Sequence, residues 1–246
     1  MQDRHVHSFY CLHGSKRTTE EILRERIAAG AKLVTFTEHA PLPAGFHDPS
    51  PLRDSSMSMD TIWEYREEIL KLKAEYAGEC EVRCGLEVDY IEGYEEPIRE
   101  FLDQYGQFFE DSLLSVHFLH GTCVDFSHEE FHRLLYEHCE GNLQELYRDY
   151  YRAIATAARW DGGPYKPLRF SHLDLVKKFK DQYPIQEAYA HELAIGILPD
   201  IVAAGMGIEV NFGGLRKPCR EIYPAKPIIS AAIELGIVLS YGSDTH

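Results

Sequence analysis

Short apolar runs of Val, Ile, Leu and Phe alternate along the chain with longer segments in which apolar residues recur at helical spacing. Brief runs of this kind predict strands, and a 3.6-residue period predicts helices. Strands are expected at Arg4–His7, Lys32–Thr37, Glu81–Asp89, Leu113–Leu119, Arg169–His172, Gly207–Asn211 and Ile237–Tyr241. Helices are expected at Thr19–Ala29, Ser58–Tyr76, Tyr94–Tyr105, His128–Cys139, Asn142–Arg159, Gln186–Ala204 and Lys226–Leu235. Thr18 and Glu21 have the spacing of a capping box, and Gly30 supplies the stop. The alternation predicts an α/β fold, and seven strands predict a barrel-like closure. Pro41–Ser58, with four prolines and a glycine, reads as a long loop after the second strand. With no internal repeat, low-complexity tract or linker, one domain over residues 1–246 is expected.

Composition narrows the partners. Forty acidic side chains stand against 25 basic ones, a formal charge of −15, and no Lys/Arg stripe is present to neutralise a run of phosphates. Nucleic acid is therefore not the expected partner. A small phosphate ester fits so acidic a chain only if bound cations invert the local field. The six cysteines, Cys11, Cys80, Cys84, Cys123, Cys139 and Cys219, are too scattered for a disulfide framework and read as reduced thiols. Cys80 and Cys84 share a strand face, but a structural zinc there needs two further ligands. No signal peptide and no apolar run of about 20 residues is present, so a cytoplasmic protein without membrane contact is expected. Nothing in the sequence specifies an oligomeric state.

The candidate chemistry lies in histidines and carboxylates. His5 and His7 flank Val6 on a strand, so the pleat sends both imidazoles to one face. Similar residues end the other strands: Thr37-Glu38-His39 the second, Glu87 and Asp89 the third, His117 the fourth and His172 the fifth, while Asp244 and His246 follow the seventh. The C-terminal rim of a β/α barrel is where active sites lie. Burying so many imidazoles and carboxylates without partners is costly, and metal ligation is the economical explanation. Nitrogen and oxygen donors suit Zn, Mn or Fe. More than four ligands imply two or three ions sharing a carboxylate, for which Glu87 is the candidate. Asp89 shares the strand face of Glu87 and could orient a ligand or protonate a departing alkoxide. His120, His128, His132, His138 and His191 lie off the strand face or on helical patterns and are not expected to be ligands. His47, in the proline-rich loop, could contact substrate.

The set His5-Val6-His7, His13, Thr37-Glu38-His39, Glu87, His117, His172 and Ser243-Asp244-Thr245-His246 resembles the polymerase and histidinol phosphatase family of metal-dependent phosphoesterases, from one end of the chain to the other. The resemblance implies a distorted seven-stranded, TIM-like β/α barrel with three divalent ions (Zn, Mn or Fe) at its rim. It implies His5, His7, Glu87 and Asp244 around one ion; Glu87, His117 and His172 around a second; and His13, His39 and His246 around the third. A bridging hydroxide or water would be the nucleophile. It also implies a helical segment beyond the Asp-x-His motif, whereas this sequence places the third site on its last residue, His246.

Two further stretches, Ser171–Lys178 and Glu209–Pro218, look like the histidinol-phosphatase branch. Arg216, on a glycine-bearing loop after a strand, is the first candidate for the substrate phosphate and Lys177 the second. The resemblance implies hydrolysis of a small phosphomonoester, L-histidinol phosphate in histidine biosynthesis, with Glu87, Asp89 and Asp244 as the expected catalytic residues. A nucleotide or polynucleotide phosphodiesterase, and a non-catalytic metal-binding regulatory domain, are the alternatives.

Overall fold

The computed structural model describes residues 1–246. Seven parallel strands form one sheet: β1 (Gln2–Val6), β2 (Leu33–His39), β3 (Glu81–Asp89), β4 (Leu113–Ser115), β7 (Arg169–Phe170), β8 (Gly207–Asn211) and β9 (Leu239–Gly242). They follow one another in chain order, and the edges meet where His7 N–H donates to the Thr245 carbonyl and Asp244 N–H to the His5 carbonyl, each at 2.9 Å. The result is a distorted (β/α)7 barrel. Every residue of β2 is buried, as expected of a parallel strand covered on both faces. The register sets Leu33 beside Glu81 and carries through to His39 beside Glu87, so two rim groups become neighbours by strand pairing alone.

Helices α1 (Thr19–Ala28), α2 (Ile62–Glu75), α3 (Glu95–Tyr105), α4 (His128–Cys139), α5 (Leu143–Arg159), α6 (Glu187–Gly196), α7 (Leu198–Ala203) and α8 (Lys226–Glu234) complete the fold. The capping box of α1 is present: Thr18 Oγ1 accepts from Glu21 N–H at 3.2 Å and Glu21 Oε2 from Thr18 N–H at 2.8 Å. Gly30, at φ +93°, ends the run. No helix is long and apolar enough to cross a membrane.

Two predicted elements are divided. The helix expected over Gln186–Ala204 breaks at Ile197, because Pro199 has no N–H to continue the ladder and restarts the chain as the first turn of α7. The strand expected over Leu113–Leu119 ends at Ser115, since His117 N–H donates to Asp89 Oδ1 (3.2 Å) rather than to a neighbouring strand. Beyond it, β5 (Phe118–Leu119) and β6 (Thr122–Cys123) form a hairpin. Its turn residues, His120 and Gly121, both have positive φ, the geometry of a tight two-residue connection. The segment 41–58 contains no regular element.

The opposite end of the barrel is closed by a buried ion cluster. Asp111 receives Arg4 Nη2 at 2.7 Å, Arg169 Nη2 at 3.0 Å and the Thr35 hydroxyl at 2.8 Å. Gly85 makes room for this connection, since a Cβ there would lie 2.0 Å from the Asp111 carbonyl oxygen.

Candidate metal centre

At the C-terminal ends of the strands, imidazole nitrogens face one another across Glu87. His5 Nε2 and His7 Nε2 are 3.2 Å apart, and Glu87 Oε2 lies 3.2 and 3.4 Å from them. Asp244 Oδ1 stands 3.6 and 3.5 Å from the same two nitrogens. On the other side, His117 Nε2 and His172 Nε2 are 3.2 Å apart, with Glu87 Oε1 at 3.7 and 3.0 Å. Each oxygen of one carboxylate thus serves a different histidine pair.

Hydrogen bonds on the far side of each ring explain why these nitrogens can face one another. His5 Nδ1 lies 3.0 Å from both oxygens of Glu209, His7 Nδ1 3.0 Å from Glu38 Oε1, and His117 Nδ1 2.8 Å from Asp89 Oδ1. A carboxylate at Nδ1 holds the proton there and leaves an Nε2 lone pair directed inward. Opposed lone pairs at 3.2 Å repel unless a cation lies between them. Nitrogens bound to zinc at about 2.05 Å in a tetrahedron are separated by roughly 3.3 Å, the spacing found here. His39, only 7% exposed, has no hydrogen-bond partner on either ring nitrogen, and its Nδ1 is 3.3 Å from Glu87 Oε2. These residues fit divalent metal ions.

The electrostatics of the protein alone agree. Burial lowers the proton affinity of His5 and His7, but Glu209, Glu87 and Asp244 around the first and Glu38 beside the second outweigh it and raise both well above the ordinary range. Against the same burial, Asp89 and Glu87 bring His117 up to about 10. Burial raises Glu87 and Asp244, yet the surrounding histidines hold both carboxyls well below theirs. His39 and His246 are depressed by burial and by His7. Burial raises the Cys11 thiol, but hydrogen bonding to the His13 and His7 rings leaves it below its ordinary value. The field is that of an anionic cradle.

The third expected group, His13, His39 and His246, comes together with ring centres 5.1–6.1 Å apart. His246 stacks on His7 with centroids 4.0 Å apart, and its Nδ1 lies 3.2 Å from the Asp244 carbonyl. His13 is exposed, and its Nδ1 donates to the Asp54 carbonyl at 2.8 Å; its ring centre is 5.1 Å from those of His39 and His246. The donors gathered here are the buried His7, Cys11 and His39 and the half-buried His246.

Neither expected phosphate cation lines the cavity over the cluster. Lys177 is buried and donates to the Ile222 carbonyl at 2.8 Å and pairs with Asp174 at 2.9 Å, facing a separate cavity. Arg216 Nη2 donates to the carbonyls of Ser243 and Asp244, both at 2.8 Å, and so braces the segment that carries Asp244 and His246. The cavity, about 250 Å³, receives Lys178 and Lys217 instead, with Asp125, Phe118, Phe126 and Tyr223 among its walls.

The sequence pattern assigns no role to Glu38 and does not mark Glu209, Asp125 or Cys11. A carboxylate inside the apolar run Gly207–Asn211 was the available signal for Glu209. His120, His128 and His132 bond to Asp149, Asp181 and the Tyr183 hydroxyl, and His138 stacks on His120. Cys80 and Cys84 belong to no cluster of metal-competent groups, and burial pushes Cys84 up to about 12.

The PHP domain model matches residues 3–212. The histidinol-phosphatase of Bacillus subtilis (strain 168) is 39% identical over 251 residues, covering all of this chain and 93% of that protein. A crystal structure from Listeria monocytogenes, of a protein named provisionally as a histidinol phosphatase, superposes with a TM-score of 0.93 at 31% identity, covering 100% of this chain and 95% of that one. The histidinol phosphate phosphatase of Lactococcus lactis, crystallised with zinc, L-histidinol and phosphate, shares the fold at a TM-score of 0.77 and 23% identity, covering 100% of this chain and 86% of that one. With its barrel, its rim of opposed imidazoles and this match along most of its length, the chain belongs to the PHP domain family.

Proposed function

We propose that this protein hydrolyses L-histidinol phosphate to L-histidinol and inorganic phosphate at a centre of three divalent ions. The observation that carries the reading is the division of Glu87 between two histidine pairs, which is the geometry of a bridging carboxylate. The assignments are His5, His7, Glu87 and Asp244 for the first ion, Glu87, His117 and His172 for the second, and His39 and His246, with His13 at the rim, for the third. Zn, Mn and Fe suit these donors. When bound, such ions polarise the phosphoryl oxygens and lower the pKa of a water nucleophile.

The chain's own residues supply the rest. Glu209, Glu38 and Asp89 keep the Nδ1 protons of His5, His7 and His117 in place, so the inward lone pairs do not reorient during turnover. Asp89 is thereby an orienting group. Lys178 and Lys217 bring positive charge to the phosphoryl oxygens, within reach of a site that is otherwise acidic. Asp125 is anionic: burial raises its carboxyl, but Lys178, 2.9 Å away, and His117 hold it far below its usual range. It offers the counter-charge for a cationic amine or imidazole, with Phe118, Phe126 and Tyr223 as the apolar walls. The substrate is a small molecule that enters this cavity.

The test is phosphate release from histidinol phosphate, an aryl phosphate and single-stranded DNA by chelated protein and by the same protein reloaded with Zn, Mn or Fe. Histidinol phosphate should be turned over fastest, only after reloading, and Glu87→Ala should lose both metal and activity. DNA cleavage outpacing the monoester, or full turnover by metal-free protein, would refute the reading.

A further inference from the structure

The turn between β1 and α1 brings a sulfur into the metal centre. Cys11 is 3% exposed, and its Sγ forms a group with ring nitrogens of His7, His39 and His246, all donor atoms lying within 4.8 Å of one another. Two tight turns fold the chain over this side chain: Cys11 N–H donates to the Ser8 carbonyl and Gly14 N–H to the Cys11 carbonyl, each at 3.1 Å. Gly14 is what lets the second turn close, since a Cβ there would stand 3.0 Å from Cys11 Cβ and 3.3 Å from the sulfur.

A buried cysteine serving only as a small apolar filler turns its sulfur toward carbon. Here it turns toward imidazoles. One of them, His39, is only 7% exposed, and neither of its nitrogens makes a hydrogen bond. A buried polar group left unpaired costs about 1–3 kcal/mol, so the arrangement calls for a common ligand. Because His7 Nε2 faces His5 and Glu87, the donors left for a third ion beside His13 at the rim are the buried Cys11 and His39 and the half-buried His246.

We infer that Cys11 supplies a thiolate to the third metal position, making that site a nitrogen–sulfur site beside two nitrogen–oxygen sites. The thiol proton leaves to solvent as the sulfur–metal bond forms. Sulfur is the softer donor, so this position prefers Zn, Fe or Co over Mn, whereas the two sites sharing Glu87 do not discriminate in this way. The inference rests on the three-ion reading proposed above.

X-ray absorption of the zinc-loaded protein and optical titration with Co(II) test it. A zinc–sulfur shell at about 2.3 Å beside nitrogen and oxygen at about 2.0 Å is expected, with a sulfur-to-cobalt charge-transfer band in the near ultraviolet. Cys11→Ser and Cys11→Ala should each abolish the shell and the band and weaken one ion per chain, while Cys80→Ser, at the far end of the barrel, should keep both signals. A fully loaded native protein without sulfur signals overturns the inference whether or not the variants fold, as does a signal that survives in either Cys11 variant. If native protein binds no metal at all, it is the metal-centre reading that fails instead.

Discussion

Replacing Glu209 with Gln tests whether a residue that touches no substrate governs the centre. Both carboxylate oxygens lie 3.0 Å from His5 Nδ1, and the side chain is fully buried. The substitution preserves volume. Asn211 Nδ2 already donates to Oε2 at 3.2 Å, so the amide nitrogen must take the other position and leave an oxygen within reach of His5 Nδ1. The His5 tautomer therefore survives, and what is lost is a negative charge behind the ring. Losing such a partner weakens metal binding by about 10–100-fold, or about 1.4–2.7 kcal/mol. The upper part of that range is expected here, because His5 has no solvent to replace the charge. The assay is competition against a chromophoric chelator, with turnover of histidinol phosphate measured at limiting and at saturating metal. Activity should fall steeply at limiting metal and recover partly at saturation. A Glu209→Gln protein that binds metal and turns over substrate like the native protein would show that the outer carboxylate is not needed to tune His5.

Gly242→Ala should be among the most disruptive small changes at the rim, since its Cβ would lie 1.5 Å from Glu209 Oε1 and 2.6 Å from His5 Cβ. Overpacking costs about 1–3 kcal/mol, so thermal unfolding should fall by several degrees and bound metal should decrease; unchanged metal content would refute the contact. Metal affinity should strengthen as pH rises from 6 to 8, because His5, His7 and His117 hold protons well above the ordinary range in the free protein and an incoming cation must displace them. Each displaced proton steepens binding by about tenfold per pH unit, and calorimetry in buffers of different ionisation enthalpy should detect proton release; affinity independent of pH would contradict the assignment. Those same raised values stabilise metal-free protein fully below about pH 6.5 and cease to do so as pH climbs through them, the opposite trend from the loaded form. Arg216→Ala should destabilise by about 0.5–1.5 kcal/mol and release metal without changing KM at saturating metal, whereas Lys217→Ala should raise KM at native metal content. A raised KM with full metal in Arg216→Ala would restore the phosphate-binding role expected from sequence.

The alternation of apolar runs and helical periods was sufficient for a β/α barrel, because strands covered on both faces carry apolar residues toward each of them. The histidines and carboxylates at strand ends were legible for the same reason: a polar residue closing an apolar run stands out. Residues within an element left a weaker mark. Glu209 sits inside a buried strand, and only the register of β8 beside β9 and the closure of β1 onto the segment after β9 bring it behind His5. Likewise Arg216 and Lys177 are cations of the expected kind following the expected strands, each on a short 3-10 turn. Whether each reaches the cavity or grips a backbone carbonyl was decided by the direction in which that turn faces. Cys11 carried no signal beside His13, since one turn of backbone determines which of two nearby donors points inward. Local pattern specified the elements and the donor types, while long-range closure of the barrel selected the partners, because contacts between distant residues have no expression in local periodicity.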